Sequence, residues 1–280
     1  MITYDPKSWW GLIFKFHRSD TFRRLLPIMA TIALYTTVIA YLNDNVFRDF
    51  FISTSVFHSL LGFVISLLLV FRTNTAYERW WEGRRQWGSL VNISRNLALK
   101  LNAYLVDSHP SRERLANAIA DFATGLKDHL RDKPITPTGH ITHPPSAAVA
   151  RLLHETETLR MRGDLNQAHL LYLNADLSAF LDICGACERI KKTPIPYSYN
   201  IFIKKFIFIY ITGMPFVFVH DFEYWTALFS TFMFYVLGSL EILAEEVENP
   251  FGTDANDLPT DDLAQLIGRD VREILLPPLR

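Results

Sequence analysis

What most constrains this chain is where its charges are missing. Residues 25–42 form an 18-residue run without one Asp, Glu, Lys or Arg. At about 1.5 Å of rise per residue, a helix of that length nearly matches a hydrocarbon core of ~30 Å. Residues 56–71 form a second uncharged run that ends abruptly. The stretch SLLGFVISLLLVFRTNTAYERWWEGRRQWG, residues 59–88, is apolar up to Phe71 and then turns to charge, Trp and Tyr. A soluble amphipathic helix keeps its polar residues on one face along its whole length. Here the polarity changes along the axis, as it does where a helix leaves a bilayer. Pro27, near the start of the first run, is expected to cost little, because first-turn amides have no intrahelical partner to lose.

Two further runs lie late in the chain. Residues 201–219 carry Lys204 and Lys205 near their start and Pro215 near their end. This span is expected to enter the apolar phase near Phe206, with the lysines reaching back to headgroups. Residues 225–240 are uncharged and rich in Phe. Basic residues then gather on one side: Arg23 and Arg24 before the first run, Arg72, Arg79, Arg84 and Arg85 after the second, Arg189, Lys191 and Lys192 before the third. The short links, residues 43–55 and 220–224, hold only Arg48 as a basic residue. An excess of Lys and Arg marks the cytoplasmic side, so the pattern predicts four transmembrane helices with both termini and the central region in the cytoplasm. The competing picture, a soluble helical protein with four buried hairpin helices, must hide an uncharged 18-residue helix in its core, which is uncommon. Residues 1–24, with Trp9, Trp10, Ile13 and Phe16 at helical spacing beside Lys15 and Arg18, read equally as an interfacial segment on a membrane surface and as a terminal helix docked on its own domain.

Between the two pairs of runs the periodicity is helical and soluble. In residues 111–131, Leu115, Ile119, Phe122, Leu126 and Leu130 recur at three and four, the stripe of an amphipathic helix. Strand patterns are nearly absent, which sets the fold class as all-α. Prolines break the pattern at residues 133–145, and TPIPYSY, residues 193–199, is an extended connector before the third run. Cys184 and Cys187 stand in C-G-A-C inside a Leu/Ala-rich helical pattern. A redox pair usually opens a helix after a strand, so these two read as small packed residues. His154 and Glu155 lack the H-E-x-x-H zinc spacing, and neither a glycine-rich phosphate loop nor a G-x-S-x-G turn is present. No enzyme is indicated. A net charge of −1 gives no attraction to nucleic acid. What remains is a pore or a scaffold.

On the second run Phe63, Leu67 and Phe71 fall four residues apart, on one helical stripe. In a ring of copies they would stack as three apolar collars that gate by wetting and dewetting. From periodicity alone the same residues could pack against neighbouring helices. The segment of residues 59–88, the TPIPYSY connector and EEVENPFGTDANDLP, residues 245–259, together resemble the bestrophins, and specifically the bacterial members of that ion-channel family. The resemblance covers about residues 9–275, with N-P-F-G and its following acids as the most specific motif. It implies a homopentamer around a central pore, four transmembrane helices per chain and a cytoplasmic helical domain that continues the pore. It makes Phe63, Leu67 and Phe71 the pore neck, and it places a second, cytoplasmic aperture at Ala168 with His169 adjacent. It also implies a calcium clasp at Glu246, Asn249, Asp254 and Asp257, oxygen donors of the kind a hard cation takes. This chain departs from the animal pattern there, which carries an amide in place of Glu246 and an unbroken acidic run in place of Ala255 and Asn256. The same residues also make a capped turn, with Asn249 and Pro250 stopping the helix and Gly252 reversing the chain.

The expected division is an N-terminal interfacial segment, residues 1–24; transmembrane helices 1 and 2, residues 25–71; a cytoplasmic helical domain, residues 72–200; transmembrane helices 3 and 4, residues 201–240; and a C-terminal cytoplasmic segment with the acidic turn, residues 241–280. The expected function is passive conduction of small monovalent ions in a bacterial inner membrane. Anions, chloride above all, are the family's usual cargo; a sodium-type cation channel and a non-conducting membrane scaffold are the alternatives. No cofactor is required, with Ca2+ as the optional one. The partners are further copies of the chain, membrane lipid and the permeant ion, and not nucleic acid.

Overall fold

The structure is a computed structural model that describes residues 20–46, 55–134 and 141–276. Trp9, Trp10 and the rest of residues 1–19 lie outside the described residues, as do Arg48 and the link around it. Among the described residues every regular element is an α-helix: α1 Asp20–Asn45, α2 Ser55–Tyr104, α3 Ser111–Leu130, α4 Pro144–Arg162, α5 Gln167–Lys192, α6 Tyr197–Phe222, α7 Trp225–Glu248 and α8 Thr260–Leu275. They divide into two units. One holds α1, α2 up to Glu78, α6 and α7; the other holds α2 from Arg79, α3, α4, α5 and α8.

In the first unit α1 packs on α6 and α7, and α6 on α7. Its core is small: Ile65 and Leu69 of α2, Ile203, Ile207, Tyr210 and Ile211 of α6, and Leu237 of α7. Its surface is the unusual part. Leu34 and Val38 of α1, Phe57 and Leu60 of α2, Phe208 of α6 and Phe232 of α7 all stand exposed. Surface hydroxyls turn back onto their own helices. Thr31 donates to the Pro27 carbonyl at 2.9 Å, Thr37 to Ala33 at 2.7 Å, Ser66 to Gly62 at 2.8 Å and Thr212 to Phe208 at 2.8 Å. A hydroxyl facing hydrocarbon has no water to bond, so it must be satisfied within its helix. Pro27 departs from expectation. α1 already begins at Asp20, so Pro27 lies inside the helix, where its ring and missing N–H interrupt the ladder. Gly62 permits a close approach, since a Cβ there would stand 2.9 Å from the Tyr210 hydroxyl.

The second unit is an ordinary helical core. α3 packs on α4, α5 and α8, and α4 on α5. Leu115, Ile119, Phe122, Leu126 and Leu130, the stripe read from periodicity, are all buried, with Trp87, Leu97 and Leu101 of α2 and Phe180 of α5 in the same cluster. Phe122 and Phe180 meet edge to face at 4.8 Å. At its two described edges the proline break interrupts the helices: α3 ends at Leu130 and α4 starts on Pro144, with His143 as its N-cap, while residues 135–140 lie outside the described residues. Prolines suit that first turn, where amides lack partners. Among the described residues five helices are long and apolar enough to cross a membrane: those over residues 21–45, 55–104, 167–192, 197–222 and 225–248. The extra one relative to the expected four is α5. Its Leu173, Leu177, Phe180, Ile183 and Ile190 are buried in the second unit's core, which accounts for its apolar composition without a bilayer.

Candidate functional site

The first half of α2 has two unlike faces. His58, Ile65, Leu69, Arg72 and Ala76 are buried, while Phe63, Leu67 and Phe71 are exposed at 67%, 46% and 56%. At about 100° per residue the centres of the two sets lie roughly 170° apart around the helix. The candidate neck residues are therefore not core residues of their own unit. Large phenyl rings left in the open on the side opposite the core need either lipid or further protein to cover them. The stripe continues beyond Phe71. Asn74, Thr75 and Glu78 are exposed, and Glu78, seven residues on, returns to the same angular position. Residue-level reading missed Glu78, although the periodicity that linked Phe63 to Phe71 extends to it directly.

Arg72 faces the other way. It is 1% exposed, donates to Glu248 Oε2 at 2.7 Å and lies 3.8 Å from Glu241. The second oxygen of Glu248 accepts the backbone N–H of Ile195 at 2.7 Å. The end of the apolar half of α2 is thus tied to α7 and to the TPIPYSY connector by a buried charge. The sequence marked Arg72 only as the first charge after the run; its partners lie far along the chain, and nothing local points to them. Lys204 sits on the surface of the same unit, 3.4 Å from Glu245.

The residues placed at the second aperture occupy the start of α5. Ala168 is exposed. His169 is committed to a capping box: its N–H donates to Asn166 Oδ1 at 2.9 Å, its ring accepts from the Asn166 N–H at 3.4 Å, and the ring stacks on Tyr104 at 4.1 Å. Of the calcium-clasp residues, Glu246 belongs to the first unit and pairs with Arg24 at 3.7 Å. Asn249, Asp254 and Asp257 belong to the second. There Asp257 is buried and its Oδ2 accepts the Asp254 N–H at 2.6 Å, while Asn249 and Asp254 are exposed. A Cβ on Gly252 would come within 2.6 Å of that carboxylate, so the turn closes only around glycine.

The sequence of residues 1–273 matches the family model described as Bacterial/Fungal Bestrophin protein. The chain belongs to the bestrophin family. Among its relatives, the voltage-dependent anion channel-forming protein alr2987 of Nostoc is 30% identical over 98% of this chain and 94% of its own length. The voltage-dependent anion channel-forming protein YneE of Escherichia coli K12 is 31% identical, with the same coverage of both chains. A crystal structure of a bacterial bestrophin homologue from Klebsiella pneumoniae superposes with a TM-score of 0.83 at 26% identity, covering 90% of this chain and 98% of that one. In this bestrophin chain the exposed stripe of α2 and the charge-anchored end of its apolar half lie on the same helix, on opposite faces.

Proposed function

We propose that this bestrophin forms a passive ion channel in the bacterial inner membrane, as a ring of five copies with Phe63, Leu67 and Phe71 facing the axis as a hydrophobic neck. The observation that carries the reading is the exposure of these three side chains on the side of α2 opposite its core. Four helices span the bilayer, both termini and the second unit lie in the cytoplasm, and the pore continues to an aperture at the exposed Ala168. Three apolar rings dewet when narrow, which stops ions without any charge. Anions are the proposed cargo, following the relatives named for anion channel formation.

A second reading, monovalent cation conduction, is favoured by Glu78. It repeats the angular position of Phe71 two turns on and is exposed, and a ring of five carboxylates at a pore mouth attracts cations. Calcium stays optional: Asn249, Asp254 and Asp257 would offer it oxygens, which suits its chemistry, and Glu246 is engaged with Arg24.

Planar-bilayer recording in a KCl gradient decides between the readings. A reversal potential near that of chloride supports anion conduction; one near that of potassium assigns cation selectivity, and Glu78→Gln should then weaken it. Replacing Phe63, Leu67 and Phe71 together by Ala is expected to raise open probability at least tenfold. No current from either protein would leave a scaffold as the better description.

A further inference from the structure

Three side chains that no conduction role uses converge in the second unit. His129 stands in the last turn of α3, His143 is the N-cap of α4, and Glu188 lies near the end of α5. Their donor atoms all lie within 4.8 Å of one another, and no other such His/Cys/Asp/Glu group occurs among the described residues. Both imidazoles aim Nε2 at one carboxylate oxygen: Glu188 Oε1 is 2.6 Å from His129 and 3.0 Å from His143, and the two Nε2 atoms are 3.3 Å apart. The rings stand at 86° to each other.

We propose that His129, His143 and Glu188 form a binding site for a divalent transition-metal cation, with Zn2+ the best match. Two imidazoles and one carboxylate are a common set for such ions. The separations fit as well as the donor types. A point about 1 Å out of the plane of the three atoms lies ~2.05 Å from each of them, the usual Zn–N and Zn–O length. The side chains are 26%, 33% and 24% exposed, so an ion can reach the site and water can complete the coordination.

The surroundings supply the needed tautomer for His143. Its Nδ1 is 2.6 Å from Ser146 Oγ. With a metal on Nε2, Nδ1 carries the proton and donates it to that hydroxyl, an outer-shell bond of the kind that orients ligating histidines. The cost is the weak 3.3 Å cap from the Ser146 N–H. Lys192 lies 3.7 Å from the other Glu188 oxygen and Lys191 binds Asp132 and the His129 carbonyl, so one nearby cation opposes the ion and the second is engaged elsewhere. A bound metal would staple the ends of α3, α4 and α5.

The test uses the full chain in detergent, freed of any affinity tag and stripped with EDTA, then titrated with Co2+ and Zn2+. One Co2+ per chain is expected, with the visible absorption of a four- or five-coordinate site, and Zn2+ should displace it. Glu188→Gln, which keeps shape and hydrogen bonding, should weaken binding at least a hundredfold, as should His143→Ala, while His154→Ala should not. Metal should also raise the thermal midpoint of the wild type and of His154→Ala, and leave that of Glu188→Gln and His143→Ala unmoved. Absence of binding below about 100 µM, or equal binding in Glu188→Gln, overturns the site and leaves a hydrogen-bonded His–Glu–His cluster. Should His143→Ala fail to fold in EDTA, Glu188→Gln decides. None of these readouts depends on conduction.

Discussion

Arg72 shows how much one residue's meaning changes with its surroundings. In the sequence it is the charge that ends an apolar run; in the structure its guanidinium is buried against Glu248 and Glu241. A buried pair gains little over apolar packing, yet removing one partner leaves a charge with no counterpart and costs about 3–5 kcal/mol. Arg72→Met is therefore expected to lower the thermal midpoint of the purified protein markedly. An unchanged midpoint would show that Glu248 and Glu241 do not depend on the guanidinium. Phe63, Leu67 and Phe71 make the converse case. Their spacing was legible as a stripe, but spacing cannot say whether a stripe points at a core, and only the packing of Ile65 and Leu69 on the opposite side leaves them free.

At the scale of the element, α5 is the instructive helix. By length and composition it could cross a membrane, and it carries the C-G-A-C spacing of a redox pair. Its fold answers both. Cys184 and Cys187 are free and buried in the second unit's core, and burial, with Glu188 nearby, pushes both thiols up to about 12. A thiolate is the reactive form, so neither should react with iodoacetamide in the native protein at pH 8. Modification should appear only on unfolding, and rapid native alkylation would count against this packing. The reading of the pair as packed rather than redox-active came from context, because the surrounding pattern was helical on both sides. The interior position of Pro27 was not legible, since where α1 starts is set by residues before the apolar run begins.

At the scale of the whole molecule, the first unit exposes large apolar side chains on every one of its helices, and lipid or further protein must cover them. Phe63 and Phe71 face one way and Phe208 and Phe232 belong to other helices, so different faces need different covers. Five copies around an axis would cover the α2 face with protein and leave outer faces to lipid. Native mass spectrometry or light scattering of the detergent-solubilised protein is expected to give five chains per particle. A monomer would remove the axis on which the neck depends.

By itself the sequence determined the class of protein. Uncharged runs long enough for a bilayer, basic flanks on one side and period-3.6 stripes between them leave little besides a helical membrane protein with a separate helical domain. These signals are local: each depends on residues within a few turns, and the solvents on either side read them directly. Tertiary structure decided which face of α2 stands open, that Arg72 is buried with Glu248, and that His129, His143 and Glu188 meet. The physical reason is that helical periodicity gives the angle of a side chain about its own axis and nothing about what lies opposite. Glu188 is 59 residues from His129 and Glu248 is 176 from Arg72, and only the packing of whole helices brings such groups within a bond length of each other's reach.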